Sequence, residues 1–351
     1  MTAFDRLVAD FPSGTNYLAA CTGGLPTRTA TAAMRADLDA WSGGTVSPTA
    51  YGAFAERARV AFARIVGVGA DRVALGSQTS VLVSVIAAAV PDGAEVLCVE
   101  GDFSSIVAPF ASQSHRGVRL REVPLDSLAE AVNDDTWLVA YSLVQSATGE
   151  LADDDLVVAA ARAHGARTLV DLTQAAGVLP IDAGRYDATV THAYKWLCSP
   201  RGVAFLTLSE AFEPTLRPIQ AGWYAGADVW ASCYGAAFEL ARDARRFDVS
   251  PAWQAVVGAA VVLEQFADVD AALIWSHASG LGDALCDALE IPRQGRAIVT
   301  WADPEGSDLA LLGAAGITAS GRAGRARVAF HLWNTPADVA DVAAALGSAH
   351  R

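Results

Sequence analysis

The 351 residues are 52% hydrophobic and 18% charged, a balance that buries a sizeable core and excludes a disordered or fibrous chain. The formal net charge of −14 leaves no basic face for nucleic acid or an anionic membrane surface, so neither is an expected partner. The five cysteines (Cys21, Cys98, Cys198, Cys233, Cys286) are scattered without a CxxC pair or a disulfide framework, which points to a reducing cytoplasm.

Residues 1–15 read as an N-terminal arm. They carry Asp5, Arg6 and Asp10 and lack the apolar centre of a signal peptide. Helical patterns follow at 29–41 and 50–66. A short strand at 73–75 then runs through Ser77-Gln-Thr-Ser80 into an apolar helix at 81–90, which is too short to span a bilayer. Free N–H groups at such a helix start form an anion site; a plain Ser or Thr cap is the alternative. Strands are expected at 95–99, 118–123 and 137–143, with Phe103 just past the first. An acidic start marks a helix at 153–164.

Two apolar runs come next, at 168–172 and 188–191. Each reads as a buried strand of a parallel sheet and each ends in polar residues. The first delivers Asp171 and Gln174, and the second delivers His192, Tyr194 and Lys195. Ligands of open parallel sheets bind beyond the carboxyl ends of the strands, so Asp171 and Lys195 can face one ligand. Lys195 stands in a chain that overwhelmingly prefers arginine. A lysine that forms a Schiff base with an aldehyde, and a carboxylate that keeps the ring nitrogen protonated, suit pyridoxal phosphate. An ordinary strand-end Asp and a solvated loop lysine are the alternative.

A strand at 203–208 is the seventh. Strands alternating with helices define an α/β sheet. Beyond a Gly- and Trp-rich loop at 220–230 lie helices at 255–267 and 269–289, the first leading away from the large domain. A strand at 297–301, a helix at 308–315, a strand at 327–332 and a helix at 336–346 complete the chain. The expected division is an arm at 1–15, a large domain at 16–250 and a small domain at 251–351, with no metal among the expected ligands.

His192-Ala-Tyr-Lys-Trp-Leu-Cys-Ser-Pro-Arg-Gly202 resembles the lysine segment of class V aminotransferase-like enzymes of pyridoxal-phosphate fold type I. These include cysteine desulfurases, kynureninases and isopenicillin-N-epimerase-like proteins, and the Lys-Trp-Leu-Cys-x-Pro-Arg-Gly form is similar to the last. The resemblance implies a mostly parallel seven-stranded large domain and a smaller α+β C-terminal domain. It implies that Gln78 and Thr79 hold the cofactor phosphate, with His192 and Tyr194 beside it, and that Phe103 stacks on the pyridine ring. Gln145 and Gln174 are implied near the phenolic oxygen, Asp171 at the ring nitrogen, Lys195 as the catalytic lysine and Arg327 on the substrate carboxylate. Ser250 stands in for a threonine that reaches the partner's phosphate. A homodimer is implied, with the Trp223 and Trp230 loop buried in it.

The chain also departs from the pattern. Ala19 replaces an asparagine common in relatives. Residues 318–325 lack the nucleophilic cysteine of desulfurases, and Gln174 replaces the histidine of kynureninases. The expected function is a pyridoxal-phosphate enzyme acting on an α-amino acid. Transamination is the first choice, with β-elimination of the C–S lyase type or epimerisation as alternatives. Regulators of this fold carry an N-terminal helix-turn-helix domain, for which the residues before Tyr17 leave no room.

Overall fold

The computed structural model describes residues 1–14 and 16–347. Seven strands form the large sheet: β1 (Val73–Gly76), β2 (Glu95–Val99), β3 (Arg119–Val123), β4 (Thr136–Ser142), β5 (Arg167–Asp171), β6 (Ala188–His192) and β7 (Ala204–Leu208). Their order is β1-β7-β6-β5-β4-β2-β3. Neighbours from β3 through β6 run parallel, whereas β7 is antiparallel to both β6 and β1. Each strand was legible as an apolar run because both faces of the sheet are covered.

The two-residue period of a strand divides the sheet between two cores. Leu75, Leu97, Val139, Tyr141, Val170 and Phe205 point to one face. There they meet helices α2 (Arg28–Ser42), α3 (Pro48–Ile65), α7 (Asp154–Ala163) and α8 (Trp253–Ala267). Phe62 of α3 stacks on Phe205 with ring centroids 4.1 Å apart. Ala74, Val96, Leu138, Leu169, Val190 and Leu206 point to the other face, against α4 (Thr79–Ala89) and α5 (Ser104–Ala111). The short α6 (Leu128–Ala131) lies between β3 and β4 in sequence. Helix α8 does not lead away from the large sheet. Its Val256, Ala259, Ala260 and Leu263 are buried, and it packs on α2 and α3.

A second sheet, β8 (Ile298–Ala302), β10 (Arg325–Ala329) and β9 (Ser320–Arg322), is antiparallel throughout, in the order β8-β10-β9. It shares a core with α9 (Ala271–Ala288), α10 (Ser307–Ala314) and α11 (Pro336–Leu346). The N-terminal segment belongs to this sheet as well: Leu18 accepts from the Ala329 N–H at 2.8 Å and donates to the Thr318 carbonyl at 2.8 Å. Before it, α1 (Ala3–Asp10) gives the expected arm a helical form, closed by a reciprocal Thr2 and Asp5 capping box. No described helix is long and apolar enough to cross a membrane.

Candidate functional site

Register brings the chemistry to one edge. Ser142 at the end of β4 lies opposite Asp171 at the end of β5, and β6 ends beside them on His192. Past these carboxyl ends opens a cavity. Eight of the expected residues line it: Gln78, Thr79, Phe103, Asp171, Gln174, His192, Tyr194 and Lys195.

Asp171 is only 4% exposed, and burial raises its carboxyl to about 6 against the opposing pull of the Thr173 hydrogen bonds and the Lys195 charge. The Thr173 N–H donates to its Oδ1 at 2.8 Å. Lys195 is 5% exposed and is the only lysine in the sequence. Burial lowers its ammonium to about 8, and Asp171 opposes that fall. Its Nζ lies 5.3 Å from the centre of the Phe103 ring.

The segment carrying Lys195 is tied down from four sides. The Gly24 N–H donates to the Tyr194 carbonyl at 2.8 Å, and Cys198 N–H closes a turn on the Lys195 carbonyl at 3.0 Å. The Trp196 indole donates to Gln174 Oε1 at 2.8 Å. His331 Nδ1 accepts from the Leu332 N–H, so its proton sits on Nε2 and donates to the Trp196 carbonyl at 2.8 Å. A Cβ on Gly24 would come within 2.1 Å of the Lys195 carbonyl, so only glycine fits at that position.

At the other end of the cavity, α4 begins without a side-chain cap, which removes the plain-cap alternative. Its first N–H groups and the hydroxyls of Thr79 and Ser80 have no partner among the described residues. His192 Nε2 is buried and also unpartnered. Burial and the neighbouring Arg201 and Lys195 charges hold that imidazole down to about 4, so it is neutral at physiological pH. Tyr194 sits edge-on to it, with centroids 4.5 Å apart.

Two expectations change. Gln145 does not line the cavity; its amide reaches back to Asp102 Oδ2 and to the Ser142 carbonyl, both at 3.2 Å. The extra methylene over asparagine permits that reach. Gln174 does line it, but its amide hydrogens are committed to the Cys21 carbonyl and Ser146 Oγ, each at 3.0 Å. Ser250 is exposed and outside the cavity of its own chain.

Arg327 lies behind the cavity wall and donates to the carbonyl of Ser146, which lines the cavity. Ser320 Oγ and Thr22 Oγ1 are its other partners, both at 3.1 Å. Arg201, Ser105, Ser142 and Ser146 line the cavity without having been expected there. Arg201 reads in sequence as part of a Pro-Arg-Gly turn. Asp102 accepts from Phe103 N–H at 2.6 Å and from Ser142 N–H at 2.7 Å, and so holds the Phe103 loop to the end of β4.

A seven-stranded, mostly parallel sheet, a small C-terminal domain and a buried Lys–Asp pair define pyridoxal-phosphate fold type I. Solved structures agree on that fold. A cystine C-S lyase in complex with cysteine persulfide superposes with a TM-score of 0.85 at 20% identity, covering 95% of this chain and 97% of that one. The cysteine desulfurase CsdA from Escherichia coli gives 0.84 at 20%, over 99% and 98%.

The family model for aminotransferase class-V matches residues 48–307. The chain belongs to that family, whose cofactor is pyridoxal phosphate. A kynureninase from Deinococcus radiodurans is 28% identical over 71% of this chain and 63% of its own length. An isopenicillin N epimerase from Streptomyces clavuligerus is 30% identical over 48% and 46%. The matches therefore span less than two thirds of these curated relatives.

The residues present fit the cofactor. An unpartnered buried imidazole and an uncapped helix start suit a phosphate, which accepts hydrogen bonds only. A buried carboxylate suits a ring nitrogen that must stay protonated, and a lysine near pH 8 suits attack on an aldehyde. Thr79, Ser80, Gln78, His192 and Tyr194 would hold the phosphate, Asp171 the ring nitrogen, and Lys195 the aldehyde carbon.

Proposed function

We propose that the chain is a pyridoxal-phosphate-dependent enzyme acting on an α-amino acid, with transfer of the amino group as its nominal reaction. The observation that carries the substrate class is Arg327. It is a guanidinium at 1% exposure whose hydrogen-bond partners, Ser146, Ser320 and Thr22, are all neutral. A buried cation without a counter-charge is costly, and a carboxylate matches its fork with two parallel hydrogen bonds. The amino acid's α-carboxylate is that anion.

When bound, the cofactor supplies an electron sink for charge developing at the substrate's Cα. The protein's part is positional and protonic. From behind the Ser146 stretch of the cavity wall, Arg327 would draw the carboxylate to that wall and thereby orient Cα. Lys195 Nζ, titrating near 8, would hold the cofactor's aldehyde carbon and, whenever the substrate's amine takes its place there, is unprotonated often enough at neutral pH to take and return the Cα proton. Asp171 keeps a negative charge at the ring nitrogen. Phe103 covers one side of the cavity and limits water.

Elimination at Cβ is the second reading. It is supported by relatives named kynureninase and probable cysteine desulfurase, the latter from Aeropyrum pernix. Residues 318–325 hold no cysteine, so a C–S lyase without a catalytic thiol there is the form it takes. The proposed division keeps 16–250 as the cofactor-binding unit and 251–351 as the substrate-side unit, with α8 tying the second to the first. The working assembly is a homodimer, and free cysteines fit a reducing cytoplasm.

The test is product analysis with a pool of amino acids. A keto acid formed with the amine retained on the cofactor supports transfer. Ammonia or thiol release supports elimination, and solvent deuterium at Cα without net loss supports epimerisation. No change in any amino acid would sink the proposal.

A further inference from the structure

The geometry points to Arg201 as the cation that binds the cofactor's phosphate, a role that rests on the pyridoxal-phosphate reading of the same cavity. The other side chains that line the phosphate end are uncharged. Thr79, Ser80, Gln78 and Tyr194 are neutral, and so is His192 at physiological pH. A phosphate monoester carries close to two negative charges. The partial positive charge at the start of α4 offsets only part of that, roughly half an elementary charge.

The cavity has two cations, Lys195 and Arg201. Lys195 is engaged electrostatically by Asp171 at the opposite end. Arg201 makes no ion pair or hydrogen bond among the described residues. It rests instead on the Tyr194 ring, with its guanidinium carbon 4.6 Å from the ring centre. That ring in turn abuts His192, whose buried Nε2 is the unpartnered donor or acceptor at this end.

Local backbone explains how an exposed turn residue reaches the cavity. Gly202 has φ +96, a left-handed conformation that reverses the chain between Pro200 and β7. The turn leaves Arg201 at the rim, where stacking on Tyr194 pre-orients its fork. A guanidinium so held loses little freedom on binding a phosphate.

The experiment compares ligands with and without the phosphate. Apo wild type, Arg201→Gln and Arg201→Lys are titrated with pyridoxal phosphate, pyridoxal and inorganic phosphate, following tryptophan fluorescence and cofactor absorbance. Losing a charged hydrogen bond weakens pyridoxal phosphate and inorganic phosphate roughly 10- to 100-fold in Arg201→Gln, with pyridoxal unchanged. Arg201→Lys, keeping the charge but not the fork, falls between. Equal affinity of wild type and Arg201→Gln for pyridoxal phosphate overturns the assignment and leaves the cofactor reading intact. An equal loss for pyridoxal also overturns it, since the residue would then act on the fold alone. If wild type binds neither pyridoxal phosphate nor inorganic phosphate, the cofactor reading and this assignment fail together.

Discussion

Burial sets the behaviour of Lys195 and Asp171 in opposite directions and leaves them close together in pH. Asp171 is raised to about 6 and Lys195 is lowered to about 8, so between those values the pair is ionised as carboxylate and ammonium. Free amine therefore appears as pH rises through about 8, well below an ordinary lysine. Because the sequence has one lysine, reductive methylation of the apo protein followed by peptide mass analysis reads this titration without interference. The rate at Lys195 is expected to rise and level off around pH 8. In Asp171→Asn the midpoint moves lower, because the carboxylate that favours the ammonium is gone. A midpoint near that of a free lysine would contradict the buried pair. The same residues show what could be read without coordinates. Asp171 and Lys195 were legible because a strand end fixes where a side chain points. Gln145 was not, since its long amide could turn either to the cavity or to Asp102, and only packing decides.

The elements around the site are joined by a few buried contacts with no sequence signature. Gly24 meets the Lys195 carbonyl across 171 positions of chain, and a Cβ there would have to displace backbone. Gly24→Ala is expected to destabilise the apo protein by about 1–3 kcal/mol and to weaken cofactor retention. Thermal unfolding and pyridoxal phosphate titration check both. A second device is the Arg59–Asp248 ion pair, at 2.5 Å and almost fully buried. Asp248 also accepts from the Leu75 N–H at 2.7 Å, and Arg59 donates to the Val73 carbonyl at 2.5 Å, so α3, β1 and the chain before α8 are clamped together. Removing one partner leaves a buried charge, and Arg59→Ala is expected to cost about 3–5 kcal/mol in denaturant unfolding. The double variant Arg59→Ala, Asp248→Ala should lose less than the sum of the two single losses. Simple addition would show that the pair does not interact.

Elements are legible in the sequence where the apolar pattern is periodic and illegible where it is not. The seven strands lie within a residue or two of their apolar runs. Strand β9, Ser-Gly-Arg, has no pattern and exists because β10 pairs with it. Helix α5 carries Pro109 in its interior, a signal that argues against a helix.

At the scale of the molecule, the large and small sheets meet at the lysine segment. The large sheet presents Asp171, His192 and Lys195 from below. The small sheet brings Arg327 and, through the N-terminal segment, Thr22 and Gly24 from the side. Aromatic residues in the 219–234 segment remain partly open, with Trp230 at 47% and Tyr234 at 94% exposure. Such a surface suits burial against a second copy. The 36.4 kDa chain is expected to sediment at twice that mass, and Trp230→Asp to shift it toward the monomer. A wild-type monomer at all concentrations would contradict the homodimer.

The central claim is that pyridoxal phosphate is held on Lys195. Its most direct test is borohydride reduction of the reconstituted protein, followed by peptide mass measurement. The chain offers two primary amines, Lys195 and the N-terminus. The expected result is a pyridoxyl phosphate mass on the peptide containing Lys195 at near one per chain, absent in Lys195→Ala. An unmodified Lys195, or the added mass on the N-terminal peptide alone, would contradict it.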